Sequence, residues 1–326
     1  MIIDGHTHIL PSNFRLEEKK LGKDSTFKEL FSSTKAKTIT GEELIQSMDL
    51  HNIRKSIVLG YGWNNIEVAK ISNNYNLKQS KLFPERIIPF CSINPNWGNK
   101  AMQELERCLR EGARGIGELH PTNQFLDLKN KKILEPMMTL ARSEKIPVTI
   151  HGSEPVGHKY PGKGKSSPKE LFDFIELFPD NIIILAHWGG GLLFYELMKE
   201  VKKISENVFY DTATTSFLYE PKIFKIANEL VGSKKIIFGT DHPLLSPERI
   251  LNEMQEEQRA GKVVMDEILS RLLSPDTVET LDRTRSERFS MQPFDIFFFK
   301  DDHFISKCSK SLSLNISDIV IYTPCL

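Results

Sequence analysis

Eight short apolar runs, each followed by a helical pattern, constrain the fold of this chain most strongly. The runs are rich in Ile and Val, which is typical of buried parallel strands. They lie at residues 2–6, 56–60, 87–93, 114–118, 147–151, 182–187, 208–212 and 236–241. Eight β and α units in roughly 250 residues match a (β/α)8 barrel, because doubly wound open sheets more often have five or six strands. We therefore expect an α/β fold, the TIM barrel.

Helix boundaries support the same alternation. Thr40 with Glu43, and Ser167 with Glu170, have the spacing of a capping box at a helix start. Gly112 follows an apolar helical stripe, as a glycine at a helix end does. These local signals place helices where the barrel needs them.

One barrel domain is predicted over residues 1–289. Its longest connection, residues 10–37, follows the first strand and should lie over the barrel mouth. The remaining residues, 290–326, show neither the βα alternation nor helix caps. We describe them as an atypical C-terminal tail without a structural assignment.

The composition limits the classes of partner. The chain has 43 basic and 43 acidic residues among 326, so no net charge attracts nucleic acid or an anionic membrane. Four scattered cysteines show no metal spacing and favour a reducing cytoplasm. The N-terminus lacks the pattern of a signal peptide or membrane helix. We expect a cytoplasmic protein with a small-molecule substrate, no nucleic-acid or membrane partner, and an oligomeric state left open, a homo-oligomer included.

Metal-ligating residue types stand at the ends of five of the eight runs. His6 and His8 alternate along the first strand, so both imidazoles point to one face. The C-terminal ends of barrel strands converge on one cavity, which would bring the whole set together. The set is His6, His8, Glu118, His151, His187 and Asp241. Imidazoles and carboxylates without thiolates suit zinc or another first-row divalent ion at a catalytic site.

The same segments carry a resemblance to a known family. They are Asp4-Gly5-His6-Thr7-His8, Gly115-Ile116-Gly117-Glu118-Leu119-His120, Thr149-Ile150-His151, Leu185-Ala186-His187-Trp188-Gly189-Gly190-Gly191 and Phe238-Gly239-Thr240-Asp241-His242-Pro243. Through them, residues 1–289 resemble the amidohydrolase superfamily, specifically its amidohydrolase-related branch of metal-dependent TIM-barrel hydrolases.

The resemblance implies one of two ligand arrangements. In the first, His6, His8 and Asp241 hold one metal, while His151 and His187 hold a second and Glu118 bridges the two. In the second, a single ion is held by His6, His8, His151 and Asp241, and His187 stays free as an acid or base. Glu118 favours the two-metal arrangement, because a one-metal site has less need of a carboxylate there.

The two arrangements imply different reactions. The favoured one is hydrolysis of a C–N or C–O bond in a small amide, cyclic amide or lactone, with a metal-activated water and Asp241 taking its proton. The alternative is a non-oxidative decarboxylase of a small unsaturated or aromatic acid. A binding protein that keeps metal without turnover, and a nuclease, are the other classes considered. The complete ligand set argues against a binding protein, and the balanced charge argues against a nuclease.

Residues that follow or adjoin the ligand positions are candidates for the substrate pocket. They are His120, His158, Tyr160, Trp188 and His242. Asp4 either accepts a hydrogen bond from a ligand imidazole or braces the turn beside it. The three glycines after His187 indicate a close approach of that loop to the metal centre.

Overall fold

All eight predicted strands are present in a computed structural model that describes residues 2–14, 21–33 and 35–257. The strands are β1 Ile2–Thr7, β2 Ile53–Val58, β3 Ile87–Pro89, β4 Ile116–Leu119, β5 Val148–Ile150, β6 Ile183–Leu185, β7 Val208–Asp211 and β8 Ile236–Ile237. Neighbouring strands pair in parallel, β1 to β3 in one sheet and β4 to β8 in another.

Backbone contacts join these two sheets at both junctions. Thr7 bridges to His242, next to β8, and Cys91 after β3 bridges to Ile116 at the start of β4. The backbone N–H of His8 donates to the carbonyl of His242 at 2.8 Å. The strands therefore follow one another in chain order around the predicted (β/α)8 arrangement.

Helices separate the strands as the sequence pattern predicts. The helices with both ends described are α1 Ser25–Phe31, α2 Gly41–Leu50, α3 Ile66–Leu82, α4 Asn99–Glu111, α5 Lys131–Glu144, α6 Pro168–Leu177, α7 Lys199–Ile204, α8 Thr215–Leu218 and α9 Ile223–Val231. Residues 247–257 are also helical. The capping boxes at Thr40 and Ser167 are confirmed, and Gly112 ends α4 in the left-handed conformation.

The fold separates an apolar layer from a polar interior. Side chains such as Met138 and Phe174 are fully buried where helices pack on the strands. Alternate residues of β1 face the other way, which places Asp4, His6 and His8 inside the barrel. The chemistry of the molecule is therefore concentrated at the C-terminal ends of the strands.

The connection after β1 contributes to the mouth of the barrel, as predicted. It contains α1, and Leu30, Phe31, Ala36 and Lys37 line the cavity there. The tail at residues 290–326 lies outside the described residues. Cys91 and Cys108 are buried free thiols. No helix among the described residues is long and apolar enough to cross a bilayer.

Candidate metal centre

Four of the predicted ligands converge on one point above the barrel interior. The Nε2 atoms of His6 and His8 are 3.1 Å apart. Asp241 Oδ1 lies 3.7 Å from the first and 3.4 Å from the second. Glu118 Oε2 lies 3.8 Å and 3.9 Å from the same two nitrogens. Donor atoms about 2.1 Å from a tetrahedral ion are roughly 3.4 Å apart, so His6, His8 and Asp241 have the spacing of ligands to a single divalent ion.

The outer nitrogens of His6 and His8 are held by acceptors. His6 Nδ1 donates to Asp211 Oδ2 at 2.8 Å, and His8 Nδ1 faces the carbonyl of Leu59 at 3.3 Å. A proton on Nδ1 leaves the lone pair of Nε2 pointing into the cluster, which is how metal-ligating imidazoles are oriented in proteins. The donor set therefore fits a resident metal ion.

Asp211 contacts the candidate site and was not named in the sequence analysis. It ends β7 and is fully buried. Its Oδ1 accepts the backbone N–H groups of His187, at 2.9 Å, and Ala213, at 3.1 Å. The signal was available, because Asp211 ends a strand as the predicted ligands do. Its position fixes both the tautomer of His6 and the backbone that carries His187.

His151 and His187 approach Glu118 from its other side. His151 Nδ1 lies 2.8 Å and His187 Nε2 lies 3.3 Å from Glu118 Oε1. His187 Nδ1 is 2.9 Å from the Thr214 hydroxyl. The predicted ligands thus form one cluster in which Glu118 contacts four imidazoles.

Two groups of three donors among the described residues have the spacing to hold an ion. One is His6, His8 and Asp241, and the other is His6, Glu118 and His187. Both groups use His6, and an imidazole nitrogen has one lone pair to give. These two groups are therefore alternatives and cannot be filled at the same time.

Neighbouring charges outweigh burial in setting the pKa values inside the cluster. Burial lowers the pKa of His6, but the charge and hydrogen bond of Asp211 outweigh it and raise that pKa to about 10. Burial likewise lowers the pKa of His187, whereas contact with Glu118 raises it to about 9. Burial raises the pKa of Glu118, yet the neighbouring His151 and His187 hold it well below its usual range. A bound cation would displace these protons.

A cavity of about 520 Å³ opens onto the cluster. Three of the predicted pocket residues, His120, His158 and Tyr160, line it. The His120 ring stacks on His151 at 4.4 Å and donates through Nε2 to the carbonyl of Gly162 at 3.0 Å. Burial and the nearby His151 lower the pKa of His120 to about 4, so this ring is neutral at physiological pH.

The structure does not bring Trp188 to the cavity. Both His187 and Trp188 have a backbone φ of 57°. This left-handed turn carries the indole into the core, where its Nε1 donates to the Thr215 hydroxyl at 2.9 Å and its ring packs on Phe224. The glycines that follow permit a close approach to the loop after β5 instead of to the metal centre, because a Cβ on Gly190 would lie 2.5 Å from the Ser153 carbonyl.

His242 differs from the substrate-pocket role predicted for it, whereas Asp4 takes the second of the two roles considered, bracing the turn. His242 Nδ1 faces the carbonyl of Leu245 at 3.1 Å, and the ring is not among the described residues that line the cavity. Asp4 accepts the hydroxyl of Thr240 at 2.6 Å and backbone N–H groups of Thr240 and His6. Asp4 therefore braces the junction of β1 with the end of β8.

Tyr61 is a second residue that the sequence analysis missed. It follows β2, lines the cavity and stacks on the His8 imidazole with ring centroids 4.2 Å apart. Burial, together with the charges of Asp241 and Glu118, raises the pKa of its hydroxyl well above the usual value. Nothing in the sequence around Tyr61 distinguishes it from a packing aromatic residue.

Comparison with known proteins identifies the family. A family model described as Amidohydrolase matches residues 3–279. The chain belongs to this amidohydrolase family. Searching the curated proteins gives no match to the sequence.

Solved structures share the fold of this amidohydrolase. The 5-carboxyvanillate decarboxylase of Sphingomonas paucimobilis has a TM-score of 0.63 at 12% identity, with 78% of this chain and 92% of that chain covered. A dihydroxybenzoic acid decarboxylase of Polaromonas sp. JS666, with bound manganese and 2-nitroresorcinol, has a TM-score of 0.57 at 18% identity, with 78% and 90% covered. An uncharacterized TIM-barrel protein of Bordetella bronchiseptica has a TM-score of 0.53 at 16% identity, with 85% and 94% covered. At these identities the likeness establishes the TIM-barrel fold.

Proposed function

We propose that this amidohydrolase is a one-metal decarboxylase that releases CO2 from a small aromatic or unsaturated carboxylic acid. The observation that carries the proposal is the single donor set of His6, His8 and Asp241, which leaves His187 outside it. The sequence favoured two metals and hydrolysis. We adopt the one-ion alternative because the two candidate triads share His6, but without His151, whose Nδ1 contacts Glu118 instead of joining His6, His8 and Asp241. Decarboxylases of aromatic acids among the structural relatives support this choice.

The cavity suits a small, mostly apolar acid. Its walls include Leu30, Phe31, Phe217 and Leu244, and Lys37 stands among the lining residues as a cation. Its volume of about 520 Å³ is ample for one substituted aromatic ring. Apolar walls hold the ring, while polar groups concentrate at the metal cluster.

The donor set defines what the cofactor would contribute. Two imidazoles and a carboxylate suit zinc, our prediction from the sequence, and also manganese, which the Polaromonas enzyme holds. A divalent ion held there would supply Lewis-acid stabilisation of negative charge on substrate oxygens. The remaining steps belong to the side chains around it.

His187 is placed to transfer the proton. The Thr214 hydroxyl, 2.9 Å from Nδ1, orients the ring, and Nε2 faces the cluster where the cavity begins. We assign His187 as the acid that protonates the substrate carbon. The bond from that carbon to the carboxyl group breaks, its electron pair forms the new C–H bond, and CO2 leaves.

The test measures CO2 release by protein loaded with manganese or zinc. Probes are 2,6-dihydroxybenzoate and 5-carboxyvanillate, with a parallel panel of amides and lactones. We expect CO2 from an aromatic acid and no hydrolysis. His187→Asn should lower kcat at least 100-fold, because the proton donor is lost, with metal content unchanged. Unchanged kcat in the variant, or hydrolysis without CO2 release, contradicts the proposal.

Hydrolysis by two ions is the second candidate, and one contact favours it. Glu118 turns Oε2 toward His6 and His8 and Oε1 toward His151 and His187, so its carboxylate stands between two sets of imidazoles. A bridging carboxylate needs that position. This candidate predicts turnover of a lactone or an amide. That turnover should fall when a second equivalent of metal is lost, a result that would favour hydrolysis over decarboxylation.

A further inference from the structure

We propose that the outer part of the cavity is an apolar subsite, which binds an alkyl or aryl substituent on the side of the substrate turned away from the donor cluster. Phe217 and Leu244 are the residues to which we assign this specificity. The inference rests on the proposed function for an aromatic or unsaturated acid. It adds that the acid carries an apolar substituent beyond its ring or double bond.

The apolar walls of the cavity come from the loops after three consecutive strands. Phe217 follows β7, Leu244 follows β8, and Leu30 and Phe31 lie on α1, which follows β1. Strand β8 pairs with β7, and a backbone bridge joins β1 to the residues after β8. The three loops are therefore neighbours around the mouth, and together they form one apolar arc.

Polar side chains line the other side of the mouth. His120 follows β4, and His158 and Tyr160 follow β5. In an eight-stranded barrel, β4 and β5 lie across from β8 and β1. A ligand held at the donor cluster therefore meets polar side chains on one side and the apolar arc on the other.

The apolar arc adjoins the candidate metal centre. The backbone N–H of Phe217 donates to the carbonyl of Thr214 at 2.9 Å, and the Thr214 hydroxyl is 2.9 Å from His187 Nδ1. The N–H of Leu244 donates to the carbonyl of Asp241 at 2.8 Å. Phe217 and Leu244 each stand one turn of chain beyond a residue of the centre. One ligand can therefore reach both the centre and the arc.

The arc leaves large apolar side chains in contact with water. Phe217 is 51% and Leu244 is 47% exposed, although both line the cavity. The cavity volume of about 520 Å³ lies in the range that takes drug-sized ligands, which is more than a single substituted ring needs. An apolar substituent that covers these side chains removes its own surface and theirs from water, which favours binding.

The two cations on this side are engaged within the protein. Lys37 Nζ donates to the carbonyl of Leu244 at 3.3 Å. The Arg249 guanidinium stands over the Phe217 ring at 5.3 Å from its centroid and lies 3.5 Å from a carboxylate oxygen of Glu253. These partners favour an uncharged substituent over an anionic one at the arc.

The test compares benzoate with 3- and 4-butylbenzoate by titration calorimetry on zinc-loaded protein, together with the matching hydroxamates. Proteins are the wild type, Phe217→Ala and Leu244→Ala. Matched controls are Phe125→Ala and Leu197→Ala, at exposed apolar residues outside the cavity lining. The better butyl isomer should bind the wild type roughly 10-fold more tightly than the unsubstituted probe, since each fully buried methylene is worth about fourfold. That gain should fall about threefold in Phe217→Ala and in Leu244→Ala and stay unchanged in both controls.

The outcomes separate this inference from the proposed function. The hydroxamates place a general metal-binding group at the donor cluster, so a gain that depends on Phe217 and Leu244 in that series supports the subsite even if no acid binds or releases CO2. CO2 release without any gain from the butyl group would support decarboxylation and overturn the inference. A gain equal in all five proteins overturns it as well. If a second copy of the chain covered the arc, the wild type would show no gain and Phe217→Ala would dissociate in light scattering, which also overturns the inference.

Discussion

Replacing Asp211 with asparagine tests how the protein prepares His6 to bind metal. Asp211 Oδ2 accepts the Nδ1 proton of His6, and Oδ1 accepts two backbone N–H groups. An asparagine oxygen can keep the two backbone hydrogen bonds. Its NH2 group must then face His6 Nδ1, which forces that nitrogen to accept and moves the ring proton to Nε2. The lone pair that would bind the ion is lost.

The size of the effect follows from that change of tautomer. Loss of a carboxylate that orients a ligand histidine typically weakens metal affinity 10- to 100-fold. This corresponds to about 1.4 to 2.7 kcal/mol of binding free energy. We expect Asp211→Asn to stay folded, because the backbone hydrogen bonds survive, and to bind zinc at least 10-fold more weakly than the wild type.

The assay is competition for zinc against a chromophoric chelator. Asp24→Asn is the matched control, since Asp24 is also buried and also accepts backbone N–H groups, from Phe27 and Asn65, so the variant likewise loses one buried acceptor but outside the donor set. Its zinc affinity should lie within twofold of the wild type. Circular dichroism checks that both variants are folded. A folded Asp211→Asn protein with wild-type zinc affinity would refute the role assigned to Asp211.

Three further results are expected. Phe174→Ala should lower the free energy of unfolding by about 3 to 5 kcal/mol in denaturant titration, because it empties a fully buried site; a loss under 1 kcal/mol would contradict the packing. Removing metal with a chelator should lower the melting temperature, by the equivalent of about 2.7 kcal/mol if free metal stood at 100 times its Kd; no shift would argue against a resident ion. Burial raises the pKa of Glu104, but hydrogen bonds from Arg107 and Asn73 outweigh it and leave that pKa below the usual 4.5. Glu104→Gln should therefore destabilise the protein above pH 4.5, by about 1.5 to 3 kcal/mol, and the difference should shrink as pH falls through the lower folded pKa; a pH-independent difference would contradict this.

The fold was predictable because its signals are local. Alternation of apolar runs and helical stripes fixed eight strands, and capping patterns such as that at Thr40 set helix starts. Hydrogen bonds between residues on opposite sides of the barrel leave no such local pattern in the sequence. The two sheets are joined by backbone bridges from Thr7 to His242 and from Cys91 to Ile116, and these partners are not neighbours in sequence. Residues 258–326, which include most of the region after the last strand, lie outside the described part.

The site was predictable only as far as strand ends determine position. That rule placed Glu118 and the ligand histidines together, but it gives no distances, so it could not choose between one ion and two. Sequence adjacency misled the assignment of Trp188, because a left-handed turn after β6 reverses the direction of its side chain. Asp211 and Tyr61 were missed since each contacts a histidine that is remote from it in sequence, His6 and His8 respectively.

Metal content per chain tests the one-ion centre most directly. It is measured by elemental analysis of protein purified without chelator, for the wild type and for His187→Asn. One equivalent in both proteins is the expected result, because His187 lies outside the proposed donor set. Two equivalents in the wild type, falling to one in the variant, would contradict the single ion and establish a bridged pair in its place.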